Sequence, residues 1–429
     1  MKLVKIGICG LGTVGSGTVN VLRRNCQEIA LRSNVELVIE QIGARRDNPD
    51  CNTNDLTVSR DIFDVVGNSE VDIVVELIGG TTVAKTLILQ AIANGKHVVT
   101  ANKALIAEFG DEIFAKAREQ GVTVAFEAAV AGGIPIIKSL QEGLSANHIE
   151  WIAGIINGTG NFILTEMRDK GRDFADVLKE AQALGYAEAD PTFDVEGIDA
   201  AHKLAILASL AFAMPLQFDK VFTEGISTIS PADIKYAEQL GYRIKHLGIA
   251  RRLDERVELR VHPTLIPEKS LLANVDGVMN AVLVKGDAAG QTLYYGAGAG
   301  AEATASAVIA DIVDIARTID EQKTSDCNLY QAITRSVLSV ENVETAYYLR
   351  LMAEDKPGVL SEITQIFSAA GISIEAVNQK EPQPGETEAT IILLTHSAVE
   401  RELLAVVNTI EALKNVHGKV THIRVENLQ

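Results

Sequence analysis

A glycine pattern near the N-terminus constrains the fold of this chain more than any other sequence feature. A short apolar segment, LVKIGIC, leads into Gly10-x-Gly12-x-x-Gly15, and a helical pattern with basic residues at its end follows. Small residues at such a strand-to-helix turn let the backbone approach a pyrophosphate at the helix N-terminus. Glycines also serve tight turns that bind nothing, but this context favours a dinucleotide-binding site. The predicted cofactor-binding residues of the turn are Gly10, Leu11, Gly12, Thr13, Val14 and Gly15.

Further strand and helix patterns alternate after this turn. Apolar strand candidates occur at residues 35–44, 71–80, 96–105 and 122–130. Alternating buried strands and helices indicate an α/β domain with a doubly wound parallel sheet of the Rossmann type. Ligands bind beyond the carboxyl ends of the strands of such sheets, which places Thr100, Asn102, Lys103 and Glu127 at the expected crevice.

The end of the second predicted strand indicates which dinucleotide is bound. It lacks the acidic residue that usually accepts the ribose 2′-hydroxyl of NAD and carries Arg45 and Arg46 instead. Guanidinium groups suit a 2′-phosphate, so NADP is favoured and Arg45 is a predicted cofactor-binding residue. Two arginines in a loop are also common on a solvated surface, and NAD remains possible.

An acid and a base lie inside an otherwise apolar segment, EGIDAAHKLAILASL, at residues 196–210. Asp199 and Lys203 are four residues apart, so on a helix they share one face. The spacing alone is more typical of an ordinary surface ion pair on an amphipathic helix. Several acidic residues crowd the preceding segment, and a negative site beside Lys203 would suit a substrate with an ammonium group. These acidic residues are Glu188, Asp190, Asp194 and Glu196.

Composition excludes several classes of function. A chain of 429 residues should divide into two or three domains, and its formal charge of -18 opposes general binding to nucleic acid or anionic membranes. The longest apolar run, from Leu204, is interrupted by Pro215 and is too short to span a bilayer. The cysteines have no metal-site or disulfide spacing, so a cytoplasmic protein is expected. They are Cys9, Cys26, Cys51 and Cys327.

Several motifs together resemble one known family over nearly all of residues 1–320. They are GICGLGTVG, VELIGG, TANKAL, EAAVAGGIPII, GIINGTGNFIL, GYAEADPTFDVEGIDAAHKLAIL and YYGAGAGAEATASAVIADI. In this order they resemble homoserine dehydrogenase. The resemblance implies reversible reduction of L-aspartate 4-semialdehyde to L-homoserine with NAD(P)H, in threonine, methionine and isoleucine biosynthesis. Another oxidoreductase acting on a different amino-acid aldehyde is the nearer alternative, and a non-catalytic amino-acid sensor is the more distant one.

The resemblance also implies roles for individual residues. Lys203 matches a catalytic lysine, Asp199 and Glu188 match substrate-binding acids, and Lys103 matches a lysine near the nicotinamide and the substrate. The implied cofactor-binding residues include Thr100, Lys103, Gly185 and Gly300. A monovalent cation such as Na⁺ is implied at Glu127, Val130, Gly132 and Ile134, and such hard cations prefer oxygen ligands. One departure is Ala303, where the family usually has proline, which puts the rigidity of that turn in doubt.

The implied chemistry requires a positive group or a proton donor near the substrate oxygen, where negative charge builds as a hydride arrives at the aldehyde carbon. We assign that role to Lys203, with Asp199 holding its ammonium group or binding substrate. A neighbouring Lys103 and desolvation would lower the pKa of Lys203, whereas Asp199 would raise it, and sequence does not decide between them.

The last part of the chain begins a new pattern at Ala346. AYYLRLMAEDKPGVLSEITQIFSAAGISIEAVNQ reads as strand, turn, amphipathic helix and strand, and residues 346–429 resemble an ACT domain, a ferredoxin-like module that binds amino acids. Turn chemistry alone would also explain Pro357 and Gly358. The expected domains are therefore a cofactor domain (1–135), an α+β catalytic and dimerisation domain (136–320) and a regulatory domain (346–429). Threonine is the expected effector, near Asp355–Val359, and a homo-oligomer is expected.

Overall fold

The computed structural model describes residues 1–319, 333–380 and 387–428. Two compact units are present in it. Unit 1 comprises Met1–Gly158, Asp199–Val221 and Val278–Arg335, and unit 2 comprises Thr159–Ile198, Phe222–Gly277 and Ser336–Gln429. Within the described ranges, no helix combines the length and the apolar character needed to cross a bilayer.

The regular elements alternate along the chain much as the sequence predicts. The strands are β1 (Lys2–Cys9), β2 (Val35–Gly43), β3 (Val58–Ser59), β4 (Ile73–Glu76), β5 (His97–Thr100), β6 (Val124–Ala125), β7 (Ile149–Ile155), β8 (Phe222–Thr223), β9 (Tyr242–Leu253), β10 (Arg256–Pro267), β11 (Met279–Gly286), β12 (Gly290–Ala297), β13 (Ser336–Val337), β14 (Glu344–Glu354), β15 (Ile374–Gln379), β16 (Glu388–Thr395), β17 (Ala398–Val399) and β18 (Val416–Val425). The helices are α1 (Thr13–Arg24), α2 (Cys26–Ser33), α3 (Ile62–Gly67), α4 (Thr82–Ala93), α5 (Lys103–Gln120), α6 (Ile136–Lys138), α7 (Gly158–Lys170), α8 (Phe174–Ala183), α9 (Thr192–Val195), α10 (Ile198–Phe212), α11 (Pro231–Gln239), α12 (Ala301–Thr318), α13 (Val359–Ala369) and α14 (Glu400–Glu411).

Unit 1 contains the predicted doubly wound sheet. Its strand order is β3-β2-β1-β4-β5-β6 and every pairing is parallel. The chain changes direction across the sheet between β1 and β4, which is where such sheets open a ligand crevice at the carboxyl ends of their strands. The glycine pattern follows β1 directly, so the fold places it at this crevice. The last strand is shorter than predicted, because a turn of 3₁₀ helix begins at Glu127.

Helix α12, which belongs to the last sequence segment of unit 1, packs against this sheet and completes its apolar core. Its residues Val308 and Ile312 are fully buried with Ile6 and Ile8 of β1 in one apolar cluster. It also lies against α1, where a Cβ built on Gly17 would come within 2.4 Å of the carbonyl oxygen of Ala301. Glycine at position 17 therefore lets the two helices approach closely. The start of α12 is thereby held next to the helix that follows the glycine turn.

A second, antiparallel sheet in unit 1 leads into the segment at Ile156 and Asn157, which contacts α10. Its strand order is β12-β11-β7. Strand β7 ends at Ile155, and α7 begins at Gly158. Helix α10 is buried over most of its length, as its apolar sequence predicts.

Unit 2 combines a long hairpin with the predicted ACT-like module. Strands β9 and β10 pair antiparallel, and β18 joins β10 in parallel, at Thr264 opposite Arg424. The order then continues through β14 and β16 to β15, all antiparallel. Helices α13 and α14 cover these strands, giving the β-α-β-β-α-β arrangement of a ferredoxin-like ACT domain. The fold class predicted from the sequence is therefore confirmed.

Candidate active site

A cluster of two lysines and one aspartate lies at the start of α10. The Asp199 carboxylate accepts from the Lys203 ammonium group at 2.8 Å (Oδ2 to Nζ) and forms an ion pair with Lys103 at 3.0 Å (Oδ1 to Nζ). The Asn157 amide donates to Asp199 Oδ2 at 2.9 Å, and Lys203 also donates to the Ile156 carbonyl oxygen at 2.7 Å. The segment that follows β7 thus holds both members of the i,i+4 pair.

Burial makes this cluster different from a surface ion pair. Asp199 is only 4% exposed, whereas the Lys203 side chain is 11% exposed and that of Lys103 is 34% exposed. Burial raises the pKa of Asp199, but the two ammonium groups and the Asn157 amide outweigh it and hold the pKa well below its usual range. Asp199 is therefore ionised near neutral pH. The cluster carries two positive charges against one negative charge, so it can attract an anionic oxygen.

Sequence reasoning did not assign a role to His202, which lies between the two cluster residues on α10. Its imidazole is 2% exposed and lies against the ring of Phe218, with centroids 4.0 Å apart. Burial lowers the pKa of His202 to about 4, so the ring is neutral near neutral pH. A histidine next to a charged pair in DAAHKLAIL was the available signal for a buried imidazole.

The glycine turn lines a large crevice of about 1150 Å³. Gly10 has φ +107°, and a Cβ there would be 2.5 Å from the Leu77 carbonyl oxygen. A Cβ on Gly15 would be 2.1 Å from the Gly10 carbonyl oxygen. These two positions therefore require glycine, and Gly12, where a Cβ would meet nothing, leaves open space for a ligand.

Arginine side chains line the crevice at the end of β2, where Asp47, Asp50 and Asp61 line it too. Arg45 and Arg46 line it and are exposed, as the sequence predicts. A third arginine, Arg60, lines it too and was missed, because it follows the two-residue strand β3 that the sequence does not reveal. Arg60 donates to both carboxylate oxygens of Asp47, at 2.9 and 3.1 Å.

A buried glutamate that sequence reasoning also missed, Glu76, holds Thr100 in place, and Asn102 then positions Lys103 at the start of α5. Glu76, at the end of β4, is completely buried and accepts from the Thr100 hydroxyl at 2.6 Å. It also accepts the backbone N–H groups of Ile78 and Gly79. Asn102 caps α5, so Lys103 is the first residue of that helix and faces Asp199. An acidic residue closing the apolar strand in VVELIGG was the available signal.

The predicted cation loop is buried and turns sharply. Ala131 and Gly132 have φ of +56° and +52°. The Glu127 carboxylate accepts the backbone N–H groups of Ile137 and Lys138, both at 2.8 Å, and burial raises its pKa to about 7. No cluster of three or more acidic, histidine or cysteine side chains able to hold a metal occurs in the described part of the chain. A cation here would therefore rely on Glu127 and the backbone carbonyl groups of Val130, Gly132 and Ile134.

Three other predicted residues lie outside the lysine cluster. Gly300, with φ +119°, is the N-cap of α12, and Ala303 lies within the first turn of that helix. Gly185 and Glu188 belong to unit 2 and are exposed. The Glu188 carbonyl oxygen accepts from the Gln182 amide at 3.0 Å. Cys9, Cys26 and Cys51 are free thiols, and Cys327 lies outside the described residues.

The ACT-like module has a cavity of about 330 Å³ at the loop predicted to bind an effector. Residues 354–360 line it together with Gln379 and Ile391. Gln379 donates its amide to Asp355 Oδ1 at 3.0 Å, and α13 begins directly after Gly358. The cavity thus presents a carboxylate and the N-terminus of a helix.

Comparisons with known proteins agree with this arrangement. The profile of the homoserine dehydrogenase NAD-binding domain matches residues 10–127, that of homoserine dehydrogenase matches residues 135–313, and that of the ACT domain matches residues 347–415. The homoserine dehydrogenase of Pseudomonas aeruginosa is 62% identical, with both chains covered completely. The crystal structure of a homoserine dehydrogenase from Thiobacillus denitrificans superposes with TM-score 0.93 at 58% identity, covering 100% of this chain and 99% of that one. A hyperthermophilic archaeal homoserine dehydrogenase in complex with NADPH gives TM-score 0.62 at 27% identity, covering 73% of this chain and 97% of that one.

Proposed function

The chain belongs to the homoserine dehydrogenase family, and from this premise we propose that Lys203 is the proton donor in the reversible reduction of L-aspartate 4-semialdehyde to L-homoserine. The main support for this proposal is the buried Asp199 carboxylate, which forms ion pairs with both Lys103 and Lys203 and so holds the two ammonium groups next to each other. The alternative of a non-catalytic amino-acid sensor finds no support, since the relatives that match the whole chain are named as dehydrogenases. The product would serve threonine, methionine and isoleucine biosynthesis.

The residues of the chain account for the proton half of the reaction. The nicotinamide cofactor, when bound, supplies the hydride that reaches the aldehyde carbon. Lys203 has three N–H donors, of which Ile156 and Asp199 use two, so one is left for the substrate oxygen. That N–H stabilises the developing negative charge and then delivers the proton. Lys103 adds positive potential, and the Asp199 carboxylate holds both ammonium groups in place.

Substrate binding is proposed to use Asp199, Lys103 and Glu188. A carboxylate is the natural partner for the α-ammonium group of the substrate. Asp199 already has two ammonium partners, which leaves this task mainly to Glu188. The assignment of Glu188 rests on its motif, GYAEADPTFDVEG.

NADP is proposed as the preferred cofactor, with NAD as a weaker alternative. The glycine turn would receive the pyrophosphate, and Thr100, Gly185 and Gly300 are proposed as further cofactor contacts. Arg45 and the neighbouring arginines of the crevice would hold the 2′-phosphate, for which guanidinium groups are well suited. A structural relative in complex with NADPH supports this proposal.

A monovalent cation such as Na⁺ is proposed at the Glu127 loop. Each Glu127 oxygen accepts one backbone N–H and has further lone-pair capacity, and the left-handed residues at 131 and 132 redirect successive carbonyl groups. Oxygen donors of this kind suit a hard cation. A bound cation would hold Glu127 ionised, against the effect of its burial.

Threonine is proposed as a feedback effector that binds at Asp355–Val359. Its carboxylate would meet the N-terminus of α13, and its ammonium group would meet the Asp355 carboxylate. Binding alters catalysis only if threonine prefers one conformation of the enzyme, and a preference of about 1–3 kcal/mol is typical of such coupling. The proposed division of labour is cofactor binding by residues 1–135, substrate binding by 136–320 and regulation by 346–429. A cytoplasmic homo-oligomer completes the proposal.

Absorbance at 340 nm tests the activity directly. Purified full-length protein is mixed with NADP or NAD and a panel of amino-acid alcohols that includes homoserine, and the reverse reaction uses the semialdehyde. We expect the highest kcat/KM for homoserine with NADP. Equal or greater activity on another amino-acid alcohol would contradict the proposed substrate.

A further inference from the structure

Asn280 is a buried polar residue that has no role in the chemistry described above. It is the second residue of β11 and is 1% exposed. Neither its Nδ2 nor its Oδ1 atom has a hydrogen-bond partner in the described part of the chain. A side-chain amide has two donors and can accept from two directions, and leaving it unpaired inside a protein costs free energy. Such a group is expected to have a partner that the polypeptide itself does not supply.

The position of Asn280 brings it to the lysine cluster. It is opposite Gly296 of β12, and its neighbour Ala281 is opposite Ile155 of β7. Continuing this register places Asn280 level with Ile156, the residue whose carbonyl oxygen accepts from Lys203. A Cβ built on Gly158 would be 3.5 Å from Asn280 Oδ1. The Asn280 amide therefore lies next to the turn between β7 and α7, whose Ile156 carbonyl oxygen binds Lys203.

Its other side faces the glycine-rich loop 296–300. A Cβ built on Gly298 would be 2.1 Å from Asn280 Cγ, so only glycine at that position leaves room for the amide. The same loop leads into α12, whose first residue lies against Gly17 of α1. The loop thus runs from the helix of the cofactor turn to the Asn280 amide. A ligand that extends from the glycine turn to the lysine cluster would present its reacting end here.

We propose that Asn280 is a cofactor-binding residue whose side-chain amide pairs with the carboxamide of the nicotinamide ring. The two amides are complementary, because each offers a donor and an acceptor side by side. Pairing would satisfy the unpaired amide and would orient the ring toward Lys203. This inference rests on the proposed function for the identity of the cofactor.

The test compares stability and binding in the Asn280→Leu variant of the full-length protein, with Asn280→Ala as a second variant. Leucine has nearly the same shape but no polar atoms. Because the amide is unpaired without ligand, its removal should leave the melting temperature of the ligand-free protein unchanged or raised. Calorimetric titration should show an increase of about tenfold in the Kd of NADP, the size expected for one or two lost hydrogen bonds.

Two ligands distinguish a direct contact from a disturbed loop. The fragment 2′-phospho-ADP-ribose has no nicotinamide and should bind the wild type and Asn280→Leu equally well. The 3-acetylpyridine analogue of NADP replaces the amide NH₂ by a methyl group. The wild type should discriminate against this analogue, and the variant should lose that discrimination, as in a double-mutant cycle.

Asn147 provides the matched control at the other end of the same sheet. It also lies against a glycine, Gly286, but its Oδ1 accepts the Ala289 N–H at 2.7 Å. Asn147→Leu should therefore lower the melting temperature and leave the Kd of NADP unchanged.

Three results would overturn the proposal. Asn280→Leu could behave as the control does, which would mean that the amide is a structural group paired with a buried water. The substitution could raise the Kd of the fragment as much as that of NADP. It could also raise the Kd of homoserine alone. Failure of the wild type to bind NADP would instead reject the proposed cofactor preference, and the same titrations would then be run with NAD and its analogues.

Discussion

The substitution Lys203→Met should abolish most turnover without unfolding the protein. Methionine keeps the length and much of the packing of the side chain but removes all three N–H donors. Two of these donors bond to Ile156 and Asp199, and the third is the one assigned to the substrate oxygen. Asp199 keeps Lys103 and Asn157 as partners in the variant, so no buried carboxylate is left without a counter-charge.

The expected loss follows from what the third donor does. A single donor aimed at a developing oxyanion contributes about 10²–10³-fold to kcat, and a positioned proton donor contributes about 10²–10⁴-fold. Both functions reside in one group, so we expect kcat to fall at least a hundredfold. Lys103→Met should cost less, because its side chain is more exposed and its charge is more strongly screened.

Lys245 provides a matched control in unit 2. It too is a buried lysine paired with an aspartate, but its three donors are all used, by Val275 O at 2.6 Å, Asp276 Oδ1 at 2.9 Å and Asn161 Oδ1 at 3.3 Å. Lys245→Met should therefore lower the melting temperature while the folded enzyme keeps its kcat within a few-fold.

The assay measures initial rates at 340 nm with saturating homoserine and NADP, next to calorimetric Kd values for NADP and melting curves for each variant. A kcat of Lys203→Met within fivefold of wild type would refute the assignment. So would a hundredfold loss that is accompanied by unfolding or by an equal loss in Lys245→Met.

Three further predictions concern the remaining proposals. Arg45→Ala should raise the Kd of NADP about tenfold more than that of NAD, since a charged hydrogen bond to phosphate is lost, and Arg118→Ala, on the exposed end of α5, should change neither. In the full chain, Asp355→Ala should abolish inhibition by millimolar threonine and keep kcat, whereas Glu402→Ala on α14 should retain inhibition. Replacing tetramethylammonium by Na⁺ should raise the melting temperature more at pH 8 than at pH 6, because protons compete with the cation for Glu127, whose pKa is raised to about 7. Glu127→Gln should remove that difference.

The pH dependence of stability from Glu127 has a definite sign. Its folded-state pKa lies above the ordinary value of about 4.3, so the folded protein binds this proton more tightly than the unfolded chain does. The stabilisation is complete below the ordinary pKa and is lost as the pH rises through about 7. Asp199 has a depressed pKa, so its contribution is present at neutral pH and is lost only in strong acid.

Local periodicity predicted those parts of the site that are close in sequence. The spacing of Asp199 and Lys203 predicts a shared helix face, and their charged atoms are 2.8 Å apart. The glycine turn likewise depends only on neighbouring residues, and Gly10 and Gly15 have the close backbone contacts that such a turn needs. Both features follow from helix and turn geometry.

Contacts between distant segments required either family motifs or the structure. Lys103 lies far from Asp199 in the sequence. The predicted sheet placed Lys103 at the ligand crevice, but only the TANKAL motif suggested that it lies near the substrate. Glu76 is the last residue of an apolar strand, and Asn280 is the second residue of a mostly apolar one. Polar residues at the ends of strands are usually exposed to solvent. Only the tertiary fold shows that both are buried, with Glu76 bonded to Thr100 and Asn280 unpaired.

Ionic contacts within unit 2 decide how regulation should be tested. Arg260 of β10 is 1% exposed and donates to Glu258 and to Glu426, which directly follows β18 of the ACT-like module, both at 2.8 Å. Truncation after about residue 340 would remove Glu426 and with it β18, one of the strands that pair with β10. Breaking a buried ion pair from one side typically costs about 3–5 kcal/mol, a large part of the stability of a domain. A truncated enzyme that fails to respond to threonine could therefore have lost its fold, whereas a response lost in full-length Asp355→Ala, with kcat intact, can only come from the effector loop.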